Sequence, residues 1–576
     1  TGRAALGAKT SPLPTPSRRR RAVGHRVAVA TAHPLATQAA LKTLAAGGNA
    51  VDALVTASFM LSVVTPQSTG IGGGGFAIVW PGERQAPHAV DFREQAPASG
   101  ALKQYLNKAG RAVAKRSRRH GLAVGVPGYV AGLWALHKRW GKRPWASLVM
   151  PAVLAAERGF IMGDVLIDAA DATWKVLHPN ARALMGRQGA SPKKGAVLRQ
   201  PALGATLRRI GLQGPTGFYE GPVAADIVGT VKASGGHLSL ADLKTYKPRW
   251  RKPLVGRALG LDVLTMPQPS AGGAQLVAMA EFMDRFTRPA STTKGGKANT
   301  ARPEAEVLNP TQHLSVAHAL AEAMRRAFQL RLAFSGDTLS PAEKLDDVYP
   351  KAIRDGLAKT FDAKRASKSE RKLPGKLEGH NNTSHVSIID ASGMAVSSTH
   401  TVNLLFGSGI VTAKTGVWLN NELDDFSFTL TESNAFGLAG SEANLFRPGA
   451  RPVSSMTPSI FLADGKPTLI IGSPGGTRIP TAVFQVAWRT LIARQPLLEA
   501  VDAPRLHHQT FPDEVWVEEG AGEQRWRKGL EAMGHKVVTK TSWCDVQAVR
   551  ITRDKAGKPT FEAVSDGRAE GSAGAQ

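Results

Sequence analysis

The feature that most restricts the fold is a β-hairpin pattern in residues 383–403, TSHVSIIDASGMAVSSTHTVN. Apolar and polar residues alternate from His385 to Asp390, which is typical of a strand whose two faces meet different surroundings. A turn signal follows at residues 391–393, and a second run, rich in β-branched residues, begins at Ala395. The sequence therefore predicts two antiparallel strands joined by a short turn.

The start of this hairpin is unusual, because the strand begins on a bare threonine after a long polar segment. With a three-residue turn, Thr383 stands opposite Thr401, and Thr399, Thr401 and Asn403 share one face. A threonine hydroxyl becomes a good nucleophile when a base lies beside it, and the base can be the α-amine of the same threonine if that residue is an N-terminus. The alternative, a threonine present for its β-propensity, is the stronger one on spacing alone.

Two helices separated by glycines are predicted near the N-terminal end. The helical pattern of residues 36–64 breaks at Gly47-Gly48, after which Asn49 stands where an N-cap belongs, and Thr65-Pro66 ends the second helix. Residues 70–80, GIGGGGFAIVW, then form a glycine-rich turn that enters a strand. The turn lacks the Lys-Ser/Thr pair of a phosphate-binding loop, so its glycines indicate close approach of the backbone to other backbone or to a ligand.

The rest of the chain divides into regions of different character. We predict a mainly helical region at residues 120–250 and a strand–turn–helix unit at 261–283. A low-complexity surface loop is predicted at 288–310, a helix at 311–334 and a mobile linker at 355–381. Beyond Thr383 the pattern changes to short strands with turn signals. Residues 1–26 are basic and rich in Pro, Ser and Arg, and we expect them to be disordered.

Composition disfavours several classes of function. The chain has 73 Lys and Arg against 45 Asp and Glu, a net charge of +28, but these positive charges are scattered and no nucleic-acid-binding motif accompanies them. No apolar run reaches the ~20 residues that cross a bilayer, so no integral membrane segment is expected. Cys544 is the one cysteine, which rules out an internal disulfide. HExxH, CxxC and GxSxG motifs are absent, and we expect neither a metal ion nor a cofactor.

Ten short segments within residues 27–566 carry a family resemblance. They read GGNAVDALV, GIGGGGF, DFREQAPA, GVPGYVAG, PQPSAGGAQ, TSHVSIID, FGSGIV, LNNELDDFS, RPVSSMTP and GSPGGTRIP. With these segments, in this order, the chain resembles the γ-glutamyltranspeptidases (glutathione hydrolases) of the N-terminal-nucleophile hydrolase superfamily. The resemblance implies an α+β fold, a four-layer αββα sandwich with two stacked antiparallel sheets.

The resemblance also implies a precursor that cuts itself before Thr383. The products are then a large, mostly helical subunit whose folded part is residues 27–382 and a small catalytic subunit of residues 383–576, which together form a heterodimer. The motif that is usually Thr-Thr-His reads Thr383-Ser384-His385 here, a departure that keeps a hydroxyl. Thr401 is implied to hydrogen-bond the nucleophile, in agreement with the hairpin register.

The same resemblance assigns further residues to the site. Gly475 and Gly476 are implied to form an oxyanion hole through their backbone N–H groups. Arg93 is implied to hold the α-carboxylate of the donor, a task that suits the planar fork of a guanidinium. Glu422 and Asp425 are implied to accept hydrogen bonds from its α-ammonium. The remaining implied pocket residues are Asn403, Ser454 and Ser455.

Residues 425–456 resemble a lid loop that covers the pocket in family members. In the bacterial form of this lid, a tyrosine hydrogen-bonds the pocket asparagine; here Phe436 takes the place of the tyrosine and Asn403 that of the asparagine. Phenylalanine keeps the apolar cover but cannot form the hydrogen bond, which is typically worth ~0.5–1.5 kcal/mol. We expect a lid that opens more readily and a bias toward hydrolysis over transfer. Firm packing of Phe436 is the alternative.

The implied function is transfer of the γ-glutamyl group of glutathione and related donors, through an ester on Thr383, to water, amino acids or peptides. Two alternatives stay open, a glutaryl- or cephalosporin-type acylase of the same superfamily and a non-enzymatic surface protein that binds polyanions. An acylase has no need to bind an α-ammonium, so the presence of Glu422, Asp425 and Arg93 disfavours the first. The nucleophile and the oxyanion loop disfavour the second. The family implies a periplasmic or secreted location, although no signal segment is visible.

Overall fold

The computed structural model describes residues 11–287, 313–338, 342–369 and 382–576. Two seven-stranded antiparallel sheets lie at its centre. Sheet I contains, from edge to edge, β19 (Ser572–Ala575), β2 (Ala28–Thr31), β10 (Ser384–Ile389), β11 (Ala395–Thr401), β3 (Gly74–Trp80), β4 (His88–Phe92) and β7 (Arg249–Arg251). Sheet II contains β1 (Arg21–Gly24), β18 (Pro559–Ser565), β17 (Gln547–Arg553), β13 (Lys466–Gly472), β12 (Ser459–Ala463), β9 (Leu261–Thr265) and β8 (Leu254–Ala258). Smaller sheets contain β14 (Leu506–His507), β15 (Val515–Glu518) and β16 (Val537–Lys540), and β5 (Phe160–Ile161) and β6 (Val197–Leu198).

The α-helices of the described residues account for most of the large region between β4 and β10. Their bounds are α1 (Pro34–Ala45), α2 (Ala50–Val64), α3 (Ala114–Arg118), α4 (Tyr129–Trp140), α5 (Trp145–Arg158), α6 (Asp164–Thr173), α7 (Pro179–Met185), α8 (Pro201–Gln213), α9 (Thr216–Tyr219), α10 (Gly221–Ala233), α11 (Leu240–Thr245), α12 (Gly272–Thr287), α13 (Leu314–Phe334), α14 (Leu345–Val348), α15 (Lys351–Lys359), α16 (Ile479–Leu491), α17 (Leu497–Asp502) and α18 (Ala521–Ala532). None of these helices has the length and apolar character needed to cross a bilayer.

Strands β10 and β11 are the middle of sheet I and pair in the predicted register. Ser384 lies opposite His400 and His385 opposite Thr399, so one further step brings Thr383 beside Thr401. Both strands have a second neighbour, β2 for β10 and β3 for β11. A slip of one residue would exchange the two faces of a strand, and burial on both sides therefore fixes the register.

The two sheets pack face to face, and helices cover their outer faces. Apolar side chains such as Phe76 and Ile78 of sheet I share one core with Ile470 and Val549 of sheet II. The opposite face of sheet I, with Val386 among its residues, packs against α1, α2 and α4. Helices α12 and α16 pack on sheet II. The fold is thus a mixture of helices and antiparallel sheets, as the family resemblance implies.

Close to the start of β10, the space between the sheets is polar. The Ser387 hydroxyl of β10 donates to the carbonyl oxygen of Gln547 in β17 at 3.0 Å. The Ser397 hydroxyl of β11 donates to the carbonyl oxygen of Ile471 in β13, also at 3.0 Å. These bonds tie the two sheets together at the level of the hairpin. Thr383 follows the alternation of β10 and belongs to this inner face.

Several predicted elements are confirmed. Helices α1 and α2 separate at Gly47-Gly48, and Asn49 caps α2 through a reciprocal pair of hydrogen bonds with Asp52 at 3.0 and 3.1 Å. The strand–turn–helix unit is β9 followed by α12, and the helix predicted to end at Phe334 is α13. The cap residues and the hydrophobic period were enough to place these elements, because the signals are local.

The structure departs from two predictions of disorder. Arg21–Gly24 form strand β1, which pairs with β18, and Arg21 Nε donates to Glu562 at 2.5 Å. The basic composition concealed this edge strand, since its partner lies at the far end of the chain. Helix α15 also extends into the predicted linker, as far as Lys359. Residues 1–10, 288–312 and 370–381, which include the predicted surface loop and the last 12 residues of the predicted linker, lie outside the described residues.

The glycine-rich turn before β3 brings backbone segments into close contact. A β-carbon on Gly72 would lie 2.1 Å from the carbonyl oxygen of Trp418, and one on Gly73 would lie 2.1 Å from the carbonyl oxygen of Thr401. The Gly128 N–H also donates to the Gly73 carbonyl at 2.9 Å. Glycine is needed here because the end of β11, which carries Thr401, occupies the space of a side chain.

We predict that Gly73→Ala destabilises the protein by about 1–3 kcal/mol, because the added methyl group must displace the backbone of Thr401. Gly229→Ala is the matched control, since Gly229 is exposed in α10 and its β-carbon would meet no atom within 4 Å; the control should be neutral or stabilising. Thermal unfolding of both variants checks this. A Gly73→Ala protein that melts at or above the wild-type temperature would contradict the prediction.

Candidate active site

Thr383 lies at the entry to β10, at one end of the space between the two sheets. Its side chain is buried, and Oγ1 donates to Oγ1 of Thr401 at 3.1 Å. Thr401 Oγ1 also accepts from the backbone N–H of Asn403 at 2.9 Å. The φ angle of Thr383 is 96°, a value that β-branched residues rarely adopt. The hairpin register therefore holds the hydroxyl in one place on a strained stretch of backbone.

The loop of Gly475 and Gly476 faces the peptide bond that precedes Thr383. The N–H of Gly475 donates to the carbonyl oxygen of Asn382 at 3.3 Å. The φ angles of the two glycines are 129° and 60°, and a β-carbon at Gly475 would lie 2.3 Å from Sγ of Cys544. Only glycine fits this conformation and this space. The loop presents a backbone donor to a carbonyl beside the Thr383 hydroxyl, the arrangement that stabilises an oxyanion.

Phe436 of the lid segment lies directly over this loop. A β-carbon at Gly476 would lie 2.5 Å from Cε1 of Phe436. The ring packs in a small apolar cluster with Leu404, and the amide of Gln509 donates to the Phe436 carbonyl at 3.0 Å. The side chain of Asn403 donates instead to the carbonyl of Asn421, at 2.9 Å. Apolar packing and a backbone hydrogen bond hold the lid residue in place.

A buried ion cluster lies beside the glycine loop. Arg93, which directly follows β4, is 1% exposed and pairs with Glu422 and, at 2.6 Å, with Asp425. Its Nε donates to the carbonyl of Pro452 at 3.1 Å. One guanidinium and two carboxylates within a desolvated space can oppose both charges of a free amino acid, its carboxylate and its ammonium.

Ser454 and Ser455 are held by a second buried arginine, which the sequence did not reveal. Arg331, near the end of α13, donates to Oγ of Ser455 at 2.7 Å and to the carbonyl of Ser454 at 3.3 Å. Within the described residues, no carboxylate lies at ion-pair distance from this guanidinium. Burial lowers the pKa of Arg331 to about 10, so the group is still charged at neutral pH. Asp425 opposes this charge from beyond ion-pair distance.

Glu94 is the other residue that sequence reasoning missed, although it adjoins Arg93 in the DFRE segment. Burial and the neighbouring Glu422 charge raise the pKa of Glu94 well above its usual range. Burial also raises the pKa of Glu422 to about 7, against the opposing effect of the Arg93 guanidinium. Glu94 therefore holds its proton at neutral pH, and the charge of Glu422 changes in the physiological range.

One cavity brings the predicted site residues together. Those that line it are Arg93, Thr383, Thr401, Asn403, Glu422, Asp425, Phe436, Ser454, Ser455 and Gly476. Gly475 adjoins Gly476, and Arg331 lines the cavity as well. In the sequence, the segment RRAFQLR that contains Arg331 has the appearance of a charged helix face, and no local signal distinguishes its last arginine.

The family model for gamma-glutamyltranspeptidase matches residues 36–576 of the chain. The chain belongs to the γ-glutamyltranspeptidase family. It is 37% identical over 551 residues to the glutathione hydrolase proenzyme of Pseudomonas aeruginosa, covering 94% of this chain and 93% of that protein. It is 35% identical over 531 residues to the glutathione hydrolase proenzyme of Escherichia coli, covering 91% of this chain and 88% of that protein. The predicted family is thereby confirmed, and it is a family of enzymes.

Among solved structures, the chain is similar to a cephalosporin acylase from Bacillus halodurans. The TM-score is 0.80, and the match covers 100% of this chain and 99% of that one. The sequence identity is 24%, so this likeness shows a shared fold and does not bear on the substrate. The chain therefore shares its mixed fold of helices and antiparallel sheets with this acylase.

The titration of Glu422 generates a prediction about pH. L-Glutamate carries the amino acid head without a bond to cleave, and its α-ammonium should bind better when Glu422 is ionised. Since the pKa of Glu422 is raised to about 7, the carboxyl is neutral below that pH and charged above it. The affinity for L-glutamate should therefore rise about tenfold between pH 6 and pH 8.

Isothermal titration calorimetry over this pH range measures the affinity. Glu422→Gln is the matched control, because it keeps the size of the side chain and removes the titration, and it should give a flatter profile. Affinity that falls with pH in the wild type, or an equally steep rise in the variant, would show that Glu422 is not the titrating group.

Proposed function

We propose that the chain is a self-processing γ-glutamyl hydrolase and transferase, which acts on glutathione and related γ-glutamyl compounds through an ester on Thr383. The observation that carries this proposal is the single cavity in which a buried threonine hydroxyl lies beside Arg93, Glu422 and Asp425. A γ-glutamyl donor has both a reacting carbonyl and a free amino acid head. The names of the related proteins, glutathione hydrolase proenzymes, support the same substrate class.

The geometry around Asn382 supports self-cleavage as the first step. The Thr383 oxygen attacks the carbonyl carbon of Asn382, and the Gly475 N–H stabilises the resulting oxyanion. The C–N bond then breaks, the proton of the hydroxyl passes to the Thr383 nitrogen, and an ester remains. Water hydrolyses this ester and separates the chain into a large subunit that ends at Asn382 and a small subunit of residues 383–576. The positive φ angle of Thr383, which typically stores on the order of 1–3 kcal/mol, favours the step.

In the mature enzyme, the new α-amine of Thr383 takes the proton from its own hydroxyl. The oxygen attacks the γ-carbonyl of the donor, and the N–H groups of Gly475 and Gly476 stabilise the oxyanion. The C–N bond of the donor then breaks, and the departing amine takes the proton back from the Thr383 α-ammonium. Arg93, with Ser454 and Ser455, holds the α-carboxylate of the donor. Its α-ammonium lies against Glu422, Asp425 and Asn403. Water, an amino acid or a peptide then takes the γ-glutamyl group from the ester.

The remaining assignments belong to the same proposal. The two subunits form a heterodimer within a four-layer αββα sandwich of the N-terminal-nucleophile hydrolase type, in the periplasm or outside the cell. No cofactor takes part in the steps above. The bias toward hydrolysis expected from Phe436 stays a prediction, since packing over Gly476 favours a closed lid while the missing hydroxyl favours an open one.

We predict that the purified wild type gives two bands on a denaturing gel, and that Thr383→Ala gives one uncut chain without γ-glutamyl-p-nitroanilide activity. Alanine has no hydroxyl to attack the Asn382 carbonyl. Thr383→Ser is the matched control, because it restores the hydroxyl, and it should be cut, if more slowly. An active wild type that remains a single uncut chain would contradict the use of the Thr383 α-amine.

A comparison of two anilide donors separates the proposal from an acylase. Glutaryl-p-nitroanilide keeps the carboxylate of the γ-glutamyl compound and lacks only the α-ammonium, which leaves the buried carboxylate of Asp425 without its partner. Such a loss typically costs about 2–5 kcal/mol, so kcat/KM should fall at least about thirtyfold. If the glutaryl compound is cleaved equally well, an acylase is the better assignment; if neither is cleaved, the enzyme proposal fails.

A further inference from the structure

A cavity of about 590 Å³ lies between helices α1 and α5, and we call it the α1–α5 cavity. Residues 13–16, which precede β1, form one of its walls, and one face of each helix forms the others. Its volume is within the range of about 300–1,000 Å³ that is usual for small-molecule sites. It shares no lining residue with the cavity that contains Thr383, so the mechanism above gives it no role.

The wall formed by residues 13–16 is fixed to the end of α5. The N–H of Leu13 donates to the carbonyl of Gly159 at 2.8 Å, and Nε of Arg158 donates to the carbonyl of Ser11 at 3.2 Å. The side chain of Leu13 packs against the adjoining hydrophobic core. Two of the four wall residues are prolines, which have no N–H to offer. The wall is therefore anchored and poor in hydrogen-bond donors.

The interior of the α1–α5 cavity is apolar. Leu35, Met60 and Leu148 line it and are buried. Two hydroxyls also line it, but each already donates to a backbone carbonyl in its own helix or at the start of that helix, Thr43 at 3.1 Å and Ser147 at 2.6 Å. An occupant therefore gains most by covering these surfaces with hydrocarbon.

The positive charges of the cavity lie at one end of it. Lys42 is in the last turn of α1, and Arg143 comes just before α5. These two positions belong to the same end, because the side chain of Asn49, just after α1, donates to the carbonyl of Trp140 at 2.5 Å. The wall of residues 13–16 is at the other end, where α5 stops. The cavity is thus apolar at one end and cationic at the other.

Neither cation has a partner for its side chain within the part of the chain that the structure describes. Among the described residues that line the cavity, none is an aspartate or a glutamate. The carboxylate of Asp52 lies near this end, but it accepts from the backbone N–H groups of Lys142 and Arg143 at 3.0 and 3.3 Å. A carboxylate that enters the cavity can therefore pair with Lys42 and with the planar fork of Arg143.

We propose that the α1–α5 cavity binds a single-chain fatty acid, whose carboxylate lies against Lys42 and Arg143 and whose hydrocarbon chain runs along α1 toward residues 13–16. Lys42 and Leu35 are two helical turns apart on one face of α1, about 10 Å, so a chain anchored at Lys42 reaches the apolar end. A free phosphate would leave the apolar surface uncovered. This binding is independent of the γ-glutamyl chemistry proposed above.

Three amphiphiles test the match of chain and charge. Isothermal titration calorimetry with wild-type protein and dodecanoate, below its micellar concentration, should show one site per chain. Octanoate is four methylenes shorter and should bind at least about tenfold more weakly, since each buried methylene strengthens binding roughly fourfold. Dodecyltrimethylammonium has the same chain and the opposite charge, and it should also bind at least tenfold more weakly. No binding of dodecanoate, or equal affinity for the two dodecyl compounds, would overturn the proposal.

A double variant tests the cationic end. Lys42→Gln with Arg143→Gln should weaken dodecanoate binding at least tenfold and should not weaken that of dodecyltrimethylammonium. The matched control is Arg525→Gln with Lys528→Gln, which removes the same charge from exposed positions of α18 outside the cavity. If the control weakens dodecanoate binding as much, the fatty acid responds to the net charge of the protein and the assigned site is wrong.

A second variant tests occupancy of the space. Gln38 is an exposed residue of α1 that lines the cavity, and Gln38→Trp should weaken dodecanoate binding at least tenfold. Gln524→Trp, at an exposed position of α18, should leave it unchanged, and thermal unfolding shows whether both variants are folded. Undiminished binding by a folded Gln38→Trp protein would overturn the assignment. A wild type that binds no dodecanoate and sediments as a dimer, which Gln38→Trp dissociates, would make the cavity a contact between two copies instead.

Discussion

The register of the β10–β11 hairpin is the constraint on which the site depends. It places Thr383 beside Thr401, and a slip of one residue would turn the hydroxyl away from the space between the sheets. Pairing with β2 and β3 on either side leaves no edge along which the hairpin could shift. Because Gly73 has no side chain, the Thr401 carbonyl oxygen at the end of β11 can lie where a β-carbon would otherwise be. Sheet geometry, rather than a flexible loop, positions the proposed nucleophile.

The buried charges of the site are better explained by recognition of a ligand, under the proposed function, than by a contribution to stability. Removing an arginine and two carboxylates from water costs several kcal/mol for each group, which ion pairing only partly offsets. Under the proposed function, Arg93, Glu422 and Asp425 together match a small ligand that carries both charges. Arg331 adds a positive charge that Asp425 opposes only from beyond ion-pair distance, which would favour an incoming anion. An apolar cluster of the same size would be at least as stable and could not select an amino acid head.

Sequence reasoning predicted the features that depend on neighbouring residues and missed those that depend on residues far apart in the chain. The hairpin register and the Asn49 cap depend on neighbouring residues, and both were predicted correctly. The roles proposed for Arg93 and Asp425 came only from family motifs, because a single charged residue carries no periodic signal. Strand β1 and the burial of Arg331 depend on partners from distant parts of the chain, in β18 and beside Ser455. Composition suggested a disordered tail for the first, and no sequence signal pointed to the second.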